Sequence, residues 1–214
     1  MTGRNQRGFT LTELMIAMAF VAFLLIFVVT AIVQTMRIYN KGVAIRHINQ
    51  SGRQLSEELT RSLRYANAAD FAANAYHPTE QRLCANGVSY VWNLEATAGL
   101  DEKNRYSGAD ASNPPIRLVR VDDKAGLLCS NPTSPVTKSQ ARDLLDARLT
   151  LQRFDVSIRE AGRIAVVSFV VSTQGDNRPL GPGRLTPSGF ECPAGGDGAF
   201  CAFGDFQSTV YIRN

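Results

Sequence analysis

The residue with the clearest chemical consequence is Glu13, a lone carboxylate at the edge of an apolar run. The run extends over twenty residues from Leu14 to Val33 and is broken only by Thr30. A helix of this length spans about 30 Å, the thickness of the hydrocarbon core of a bilayer. An unpaired carboxylate near hydrocarbon is costly. We therefore expect Glu13 to meet a partner, and we treat it as a functional residue.

Other residues that could support catalysis are few and poorly spaced. The two histidines, His47 and His77, lie in no metal-binding or triad pattern. The turn Gly181-Pro182-Gly183 lacks the continuation that a phosphate-binding loop needs. We interpret the paired acids as solvated faces and turn residues; they are Glu57-Glu58 and Asp122-Asp123. The sequence therefore predicts a protein that is not an enzyme, with no catalytic residue and no cofactor.

All four cysteines follow the apolar run: Cys84, Cys129, Cys192 and Cys201. An even set in a loop-rich domain is typical of an oxidising compartment, so we expect this domain outside the cytoplasm. Sequence alone allows three pairings. Cys192 and Cys201 flank a glycine-rich loop, so their local closure is the easiest pairing, and it leaves Cys84 to pair with Cys129. A four-cysteine zinc site needs closely spaced cysteine pairs, which are absent, so no metal is predicted.

The helical pattern continues beyond the apolar run. No proline lies between Gln34 and Tyr65, and Phe9 to Tyr65 would form one rod of about 85 Å. Its second half carries one apolar stripe for packing against a head domain. The stripe is Ile38, Ile45, Ile48, Leu55, Leu59 and Leu63, and the opposite face carries Arg46, Arg53, Glu57, Glu58, Arg61 and Arg64.

Composition fits one folded head on an anchor. The chain has 214 residues, of which 44 % are apolar and 20 % charged. Its net charge of +4 becomes about +2 if Arg4 and Arg7 are removed with a leader. This charge alone is too small to indicate nucleic-acid binding.

Two ordinary N-terminal segments share some of these features. A secretory signal peptide has a shorter apolar region and a small-residue cleavage site after it, and Gln34-Thr35-Met36-Arg37 offers no such site. A plain signal anchor is the stronger alternative. Basic residues on both sides of the run leave its orientation open.

The leader ending in Gly8, the sequence GFTLTE and the uncharged helix after it together resemble the class III signal of type IV pilins and pseudopilins. The resemblance implies that a membrane-embedded prepilin peptidase cuts between Gly8 and Phe9 and methylates Phe9. Glu13 then occupies the fifth mature position. In the family this carboxylate meets the N-terminal amine of an adjacent subunit during assembly. The implied partners are the peptidase, other pilin subunits and the cytoplasmic membrane, with the head outside and a surface filament as the product.

The predicted fold class is α+β, a long N-terminal helix packed on an antiparallel β-sheet head of about five to six strands. We predict a leader at 1–8, a membrane or filament-core helix at 9–37, an amphipathic half at 38–70 and a disulfide-stapled head at 71–214. The clearest hairpin joins Leu149–Arg159 to Arg163–Gln174. Other predicted strands are Val88–Leu94, Ile116–Val121, Leu127–Cys129 and Gln207–Ile212, with a loop at Glu95–Pro115 and a short helix at Val136–Ala147.

Two departures from major pilins favour a minor pilin or pseudopilin. Major pilins carry a glycine or proline within the membrane helix, whereas this chain has neither between Phe9 and Lys41. A second disulfide is also predicted in its head. The alternatives are a pseudopilin of a type II secretion system, a tip adhesin or a DNA-binding subunit. Such a tip would use the loops Glu95–Pro115 and Asp176–Cys201 with Arg178 and Arg184, and calcium at Asp176, Asp197 and Asp205 would resemble some pseudopilins.

Overall fold

A computed structural model describes residues 10–67, 75–94, 116–131, 134–146, 148–173, 184–186, 189–191 and 201–213. One continuous helix, α1, runs from Leu11 to Arg64. Residues 1–40 and 41–214 form two separate units, and α1 runs through both. The second unit is the head.

Within the head, α1 has one buried stripe: Ile48, Gly52, Leu55, Leu59 and Leu63. These positions recur every three or four residues, as one face of a helix requires. The predicted stripe is therefore confirmed from Ile48 onward. The first two residues of the predicted stripe are not buried: Ile38 is 75 % exposed and Ile45 is 42 % exposed. The helix ends at Arg64, six residues before the predicted end of the amphipathic half.

The first sheet is an antiparallel meander with its strands in chain order. Its tightest turn is Asn86-Gly87, where both residues have positive φ angles of 50° and 71°. Asn-Gly suits this turn because both residues tolerate that conformation, and the turn was not predicted from the sequence. The strands are β1 (Tyr76–His77), β2 (Arg82–Ala85), β3 (Val88–Trp92), β4 (Leu118–Asp122) and β5 (Ala141–Asp143).

The second sheet contains the predicted hairpin. Strands β6 (Leu149–Arg159) and β7 (Ile164–Thr173) pair antiparallel, and β10 (Phe203–Tyr211) pairs with the other side of β7. A small separate hairpin joins β8 (Arg184–Thr186) to β9 (Gly189–Glu191). The described residues thus contain ten strands, more than the five to six that the sequence predicted.

The main core lies where α1 and the two sheets meet. It combines the α1 stripe with inward-facing residues of both sheets. Trp92 of the first sheet contacts Phe154 of the second, with ring centroids 4.5 Å apart, and Phe154 stacks on Phe169 at 6.3 Å. Phe169 in turn stacks on Phe206 of β10 at 5.3 Å. These rings couple the two sheets into one packed head.

Polar contacts hold α1 against both sheets. Arg120 of β4 forms an ion pair with Glu58 of α1. Burial alone would lower the pKa of Arg120, but the charge of Glu58 and the hydrogen bond to it raise it overall. Tyr90 Oη donates to Ser62 Oγ at 2.6 Å, and burial raises the pKa of Tyr90 to about 12. On the other side, Ser56 of α1 hydrogen-bonds to Ser208 of β10.

The strand predicted at Leu127–Cys129 is wrong. Leu127–Ser130 is a short helix, α2, instead of the strand predicted at Leu127–Cys129. The cause is Asp123, whose carboxylate accepts the N–H groups of Leu127 and Leu128 at 2.8 Å each. Asp123 is a turn residue, as predicted, since its carbonyl accepts the N–H of Gly126 at 3.0 Å, but its side chain is buried and not solvated.

The short helix predicted at Val136–Ala147 is also wrong, because this stretch contains β5. Its residues have ordinary helix propensity. However, β5 supplies hydrogen bonds to the open edge of β4, with Val121 opposite Ala141 and Val119 opposite Asp143. Pairing with an existing strand therefore overrides the local preference.

A disulfide joins Cys84 of β2 to Cys129 of α2. This pairing agrees with the sequence prediction, although Cys129 lies in a helix and not at the end of a strand. Ser89 Oγ lies 3.2 Å from Cys129 Sγ and donates to Asp123 Oδ2 at 3.0 Å. The disulfide and the hydrogen bonds of Asp123 thus fasten α2 to the first sheet. Cys201 is disulfide-bonded, and its predicted partner Cys192 lies outside the described residues.

Gly52 is required where α1 meets β10. A Cβ atom at this position would lie 2.1–2.5 Å from three ring atoms of Phe206, and that ring stacks on Phe169. We expect Gly52→Ala to destabilise the head by about 1–2 kcal/mol, because overpacking outweighs the helix propensity of alanine. Urea unfolding followed by fluorescence of Trp92, the only tryptophan of the chain, would measure this change.

Gly42 provides the matched control, because a Cβ atom there meets nothing within 4 Å. Gly42→Ala should therefore stabilise α1 by up to about 1 kcal/mol. The double variant Gly52→Ala/Phe206→Leu should recover part of the loss. Equal effects of alanine at the two glycines would contradict the close packing.

Candidate processing and assembly site

Glu13 is tied to the start of α1 by reciprocal hydrogen bonds with Thr10. Glu13 Oε2 accepts the backbone N–H of Thr10 at 2.9 Å and its hydroxyl at 2.8 Å. In return, the N–H of Glu13 donates to Thr10 Oγ1 at 3.3 Å. This is a capping box, in which a threonine and a glutamate three residues later satisfy donors at a helix N-terminus. The Thr-x-x-Glu spacing could have predicted this capping box, but this second role of Glu13 was not predicted.

The cap uses one of the two carboxylate oxygens. Within the residues that the structure describes, Oε1 of Glu13 accepts no hydrogen bond, whereas Oε2 accepts both bonds from Thr10. Glu13 therefore has a fixed position at the start of the helix and one oxygen available for a cation. The other predicted site residues here, Gly8 and Phe9, lie outside the described residues.

The side chains that follow Glu13 are apolar on every side of α1. They are exposed, and an 18-residue window of this helix has a mean hydropathy of 3.0. By length and composition, α1 is the one described helix that is long and apolar enough to cross a membrane. Its polar hydroxyls are satisfied locally, since Thr30 Oγ1 donates to the carbonyl of Phe27 at 2.8 Å and Thr35 Oγ1 to that of Ala31 at 2.9 Å. Such a surface needs lipid or other apolar helices around it.

Elsewhere in the described part of the chain, the residues that could do chemistry do not form a catalytic arrangement. A polar groove of about 490 Å³ contains His47, Ser51, Asp143 and Asp146. Among the described hydrogen bonds, none connects His47 to Ser51 or to either carboxylate, as nucleophilic catalysis would require. The described residues also contain no group of three His, Cys, Asp or Glu that could hold a metal ion.

The sequence also proposed tip-binding loops and a calcium site. Glu95–Pro115, Arg178, Asp176 and Asp197 lie outside the described residues. Asp205 is described, and its carboxylate forms an ion pair with Arg153 at 3.3 Å. These proposals are therefore not tested by the structure.

Comparison with known proteins supports the N-terminal assignment. Residues 3–33 match the family model described as the prokaryotic N-terminal methylation motif. The match includes Gly8, Phe9 and Glu13 and extends to the end of the apolar run. Neither a curated protein nor a solved structure shows a significant match to the chain. The motif and the α+β arrangement of a long apolar helix with antiparallel sheets are consistent with a type IV pilin-like protein.

Proposed function

We propose that this chain is a non-enzymatic subunit of a type IV pilus or a related filament, most simply a minor pilin or pseudopilin. The observation that carries the proposal is the match of residues 3–33 to the methylation motif, which includes an apolar stretch of α1 whose side chains are exposed. Residues 1–8 would be a cleaved leader and 9–37 the membrane and filament-core helix. Residues 38–70 would be the amphipathic half of the helix, and 71–214 would form the rest of the head, which faces away from the cytoplasm.

The mechanism follows from the solvation of α1. A helix that is apolar on every side can leave the bilayer only if neighbouring subunits cover it at once. Contacts of this kind alone would allow the helices to slide along one another. A pair between Glu13 and the amine of a neighbour's Phe9 would set the register, because each charge is costly alone in an apolar bundle and tolerable as a pair.

The geometry at Thr10 supports this role. Cleavage after Gly8 would make Thr10 the second mature residue and leave its N–H in place, so the capping box would survive processing. The cap would hold the carboxylate while Oε1 receives the incoming ammonium. Glu13 would thus serve both the fold of its own helix and the contact with its neighbour.

Processing provides the direct test of this function. We expect Gly8→Arg to leave an uncut precursor in the membrane, because the peptidase must approach the backbone at that residue. Mass spectrometry of the N-terminus would measure this, with methylated Phe9 expected in the wild type. Gly3→Arg adds the same side chain within the leader and should be cut normally. A mature N-terminus other than Phe9, or normal cutting of Gly8→Arg, would contradict the proposal.

A further inference from the structure

Strand β10 lies at the edge of the second sheet, and one side of its backbone has no partner in the described part of the chain. The N–H of Thr173 donates to the carbonyl of Ala202 at 3.0 Å, and the N–H of Ile212 donates to that of Arg163 at 2.8 Å. Because hydrogen-bonded residues alternate along an antiparallel pair, the even-numbered residues of β10 bond to β7. The odd-numbered residues direct their N–H and C=O groups outward, and within the described residues no hydrogen bond satisfies these groups. They are Phe203, Asp205, Gln207, Thr209 and Tyr211.

The other edges of the two main sheets are short or covered. Strands β1 and β5, which form the two edges of the first sheet, have two and three residues. At the far edge of the second sheet, β6 has a register shift between Leu151 and Arg153, and Tyr76 Oη donates to the carbonyl of Phe154 at 3.3 Å. Proteins protect sheet edges in such ways because a free edge can pair with another chain.

Strand β10 has none of these protections. It has nine residues, and all of them pair with β7 without a register shift. It contains no proline or lysine, and its one charged residue is Asp205, whose carboxylate forms an ion pair with Arg153 at 3.3 Å. The outward residues are exposed, including Phe203 at 50 % and Tyr211 at 71 %. A long and regular edge with little net charge is suited to the addition of a strand.

The direction of α1 in the head restricts which partner fits this edge. The helix runs parallel to β10, because a Cβ atom at Gly204 would lie 2.8 Å from Ile48 Cγ2 and the N–H of Arg213 donates to the carbonyl of Arg64 at 3.1 Å. An antiparallel pair of two β10 strands would therefore make the two chains enter their heads from opposite ends. Two copies with their apolar segments in one membrane cannot adopt this arrangement. The partner strand therefore belongs to another protein.

We propose that the free edge of β10 binds an extended segment of another protein as an added antiparallel strand. The outward N–H and C=O groups would supply the main-chain hydrogen bonds. The segment would place apolar or aromatic side chains beside Tyr211 and beside Phe203, which already stacks on Phe190 of β9 with ring centroids 4.5 Å apart. Its central residues would be uncharged, because Arg153 already compensates Asp205. Only the exclusion of a second copy rests on the proposed membrane anchor.

The test uses the full chain in uncharged detergent micelles and a fluorescein-labelled peptide with the sequence of residues 203–211, with binding measured by anisotropy. In antiparallel register centred on Gln207, the peptide places its phenylalanine opposite Tyr211 and its tyrosine opposite Phe203, and it carries no α1 to restrict its direction. We expect saturable binding by the wild type. Gln207→Pro removes one outward N–H and should lower the affinity about tenfold, because proline cannot donate. The matched control Gln207→Ala keeps the N–H and should bind as the wild type does.

Folding is monitored separately by thermal unfolding. Gln207→Pro should stay folded because its outward N–H has no partner in the described head, and proline is tolerated at such positions of edge strands. Ser208→Pro removes an N–H that bonds to β7 and should lower the melting temperature far more.

A second measurement leaves the protein unchanged and alters only the peptide. N-methylation of its central glutamine blocks an N–H that would bond to β10 and should abolish binding, whereas N-methylation of the next serine blocks an N–H that points away and should not. Three results would overturn the proposal: no binding by the wild type, equal affinities of the two methylated peptides, or equal losses in Gln207→Ala and Gln207→Pro. Self-association of the wild type that Gln207→Pro abolishes would also overturn it, in favour of a second copy. None of these results depends on cleavage after Gly8, so failure here would leave the proposed filament role in place.

Discussion

The variant Glu13→Gln is expected to reach the membrane at the wild-type level and to fold its head normally, yet to fail in filament incorporation. Glutamine keeps the shape of the side chain and can replace glutamate in a capping box, so the bonds with Thr10 should persist. The charge is lost, and a neighbour's Phe9 amine would remain unpaired among apolar helices at a cost of several kcal/mol. We expect at least a tenfold drop in incorporation, measured in sheared filaments at equal membrane levels.

Thr10→Val provides the complementary change. It removes the hydroxyl that donates to Glu13 Oε2 at 2.8 Å and keeps the carboxylate. Loss of such a cap typically costs about 1 kcal/mol, so incorporation should fall far less than in Glu13→Gln. If Thr10→Val lost as much as Glu13→Gln, the position that Thr10 gives to the carboxylate would matter for incorporation as much as its charge. If Glu13→Gln assembled normally, Glu13 would not be the docking contact, or this subunit would have no neighbour's amine to meet.

The second large effect is expected for the disulfide between Cys84 and Cys129. These residues are 45 apart in sequence, and closing a loop of this length restrains the unfolded chain by about 4 kcal/mol. We expect Cys84→Ala/Cys129→Ala to lose about 2–4 kcal/mol of unfolding free energy. Trp92 is a suitable fluorescent probe because it is only 1 % exposed and belongs to the core.

A control in the same short helix separates the covalent link from local packing. Leu127 is exposed, so Leu127→Ala should change stability by no more than about 0.5 kcal/mol. The single variant Cys84→Ala also breaks the link and should lose nearly as much as the double variant. A double variant as stable as the wild type would show that this disulfide does not stabilise the head.

How much could be predicted from sequence depended on how local each feature is. The motif around Gly8, Phe9 and Glu13 is a linear signal, and the match over residues 3–33 agrees with it. The hairpin of β6 and β7 was also predicted closely, because its strands alternate and a short turn joins them. The Thr10–Glu13 cap is equally local, and it was missed only because Glu13 was interpreted through its charge.

The errors arose where residues outside a segment, near or distant in the chain, decide its local structure. Leu127–Cys129 has apolar residues that suit a strand, but the buried carboxylate of Asp123 caps a helical turn there. The stretch around Ala141 has helix propensity, but the free edge of β4 recruits it as β5. Neither competing partner can be identified from the segment itself.

The sequence by itself determined the signal, the membrane-competent helix and the α+β class, because motif spacing and hydrophobic periodicity act over a few neighbouring residues. Only the tertiary structure decided which strand of the head keeps a free edge. A last strand was predicted at Gln207–Ile212, but nothing in those residues indicates which strands lie beside it. Pairing with β7 leaves the odd-numbered residues from Phe203 to Tyr211 directed outward. Alternation along a strand is local, whereas the neighbour at each edge depends on how the whole chain folds.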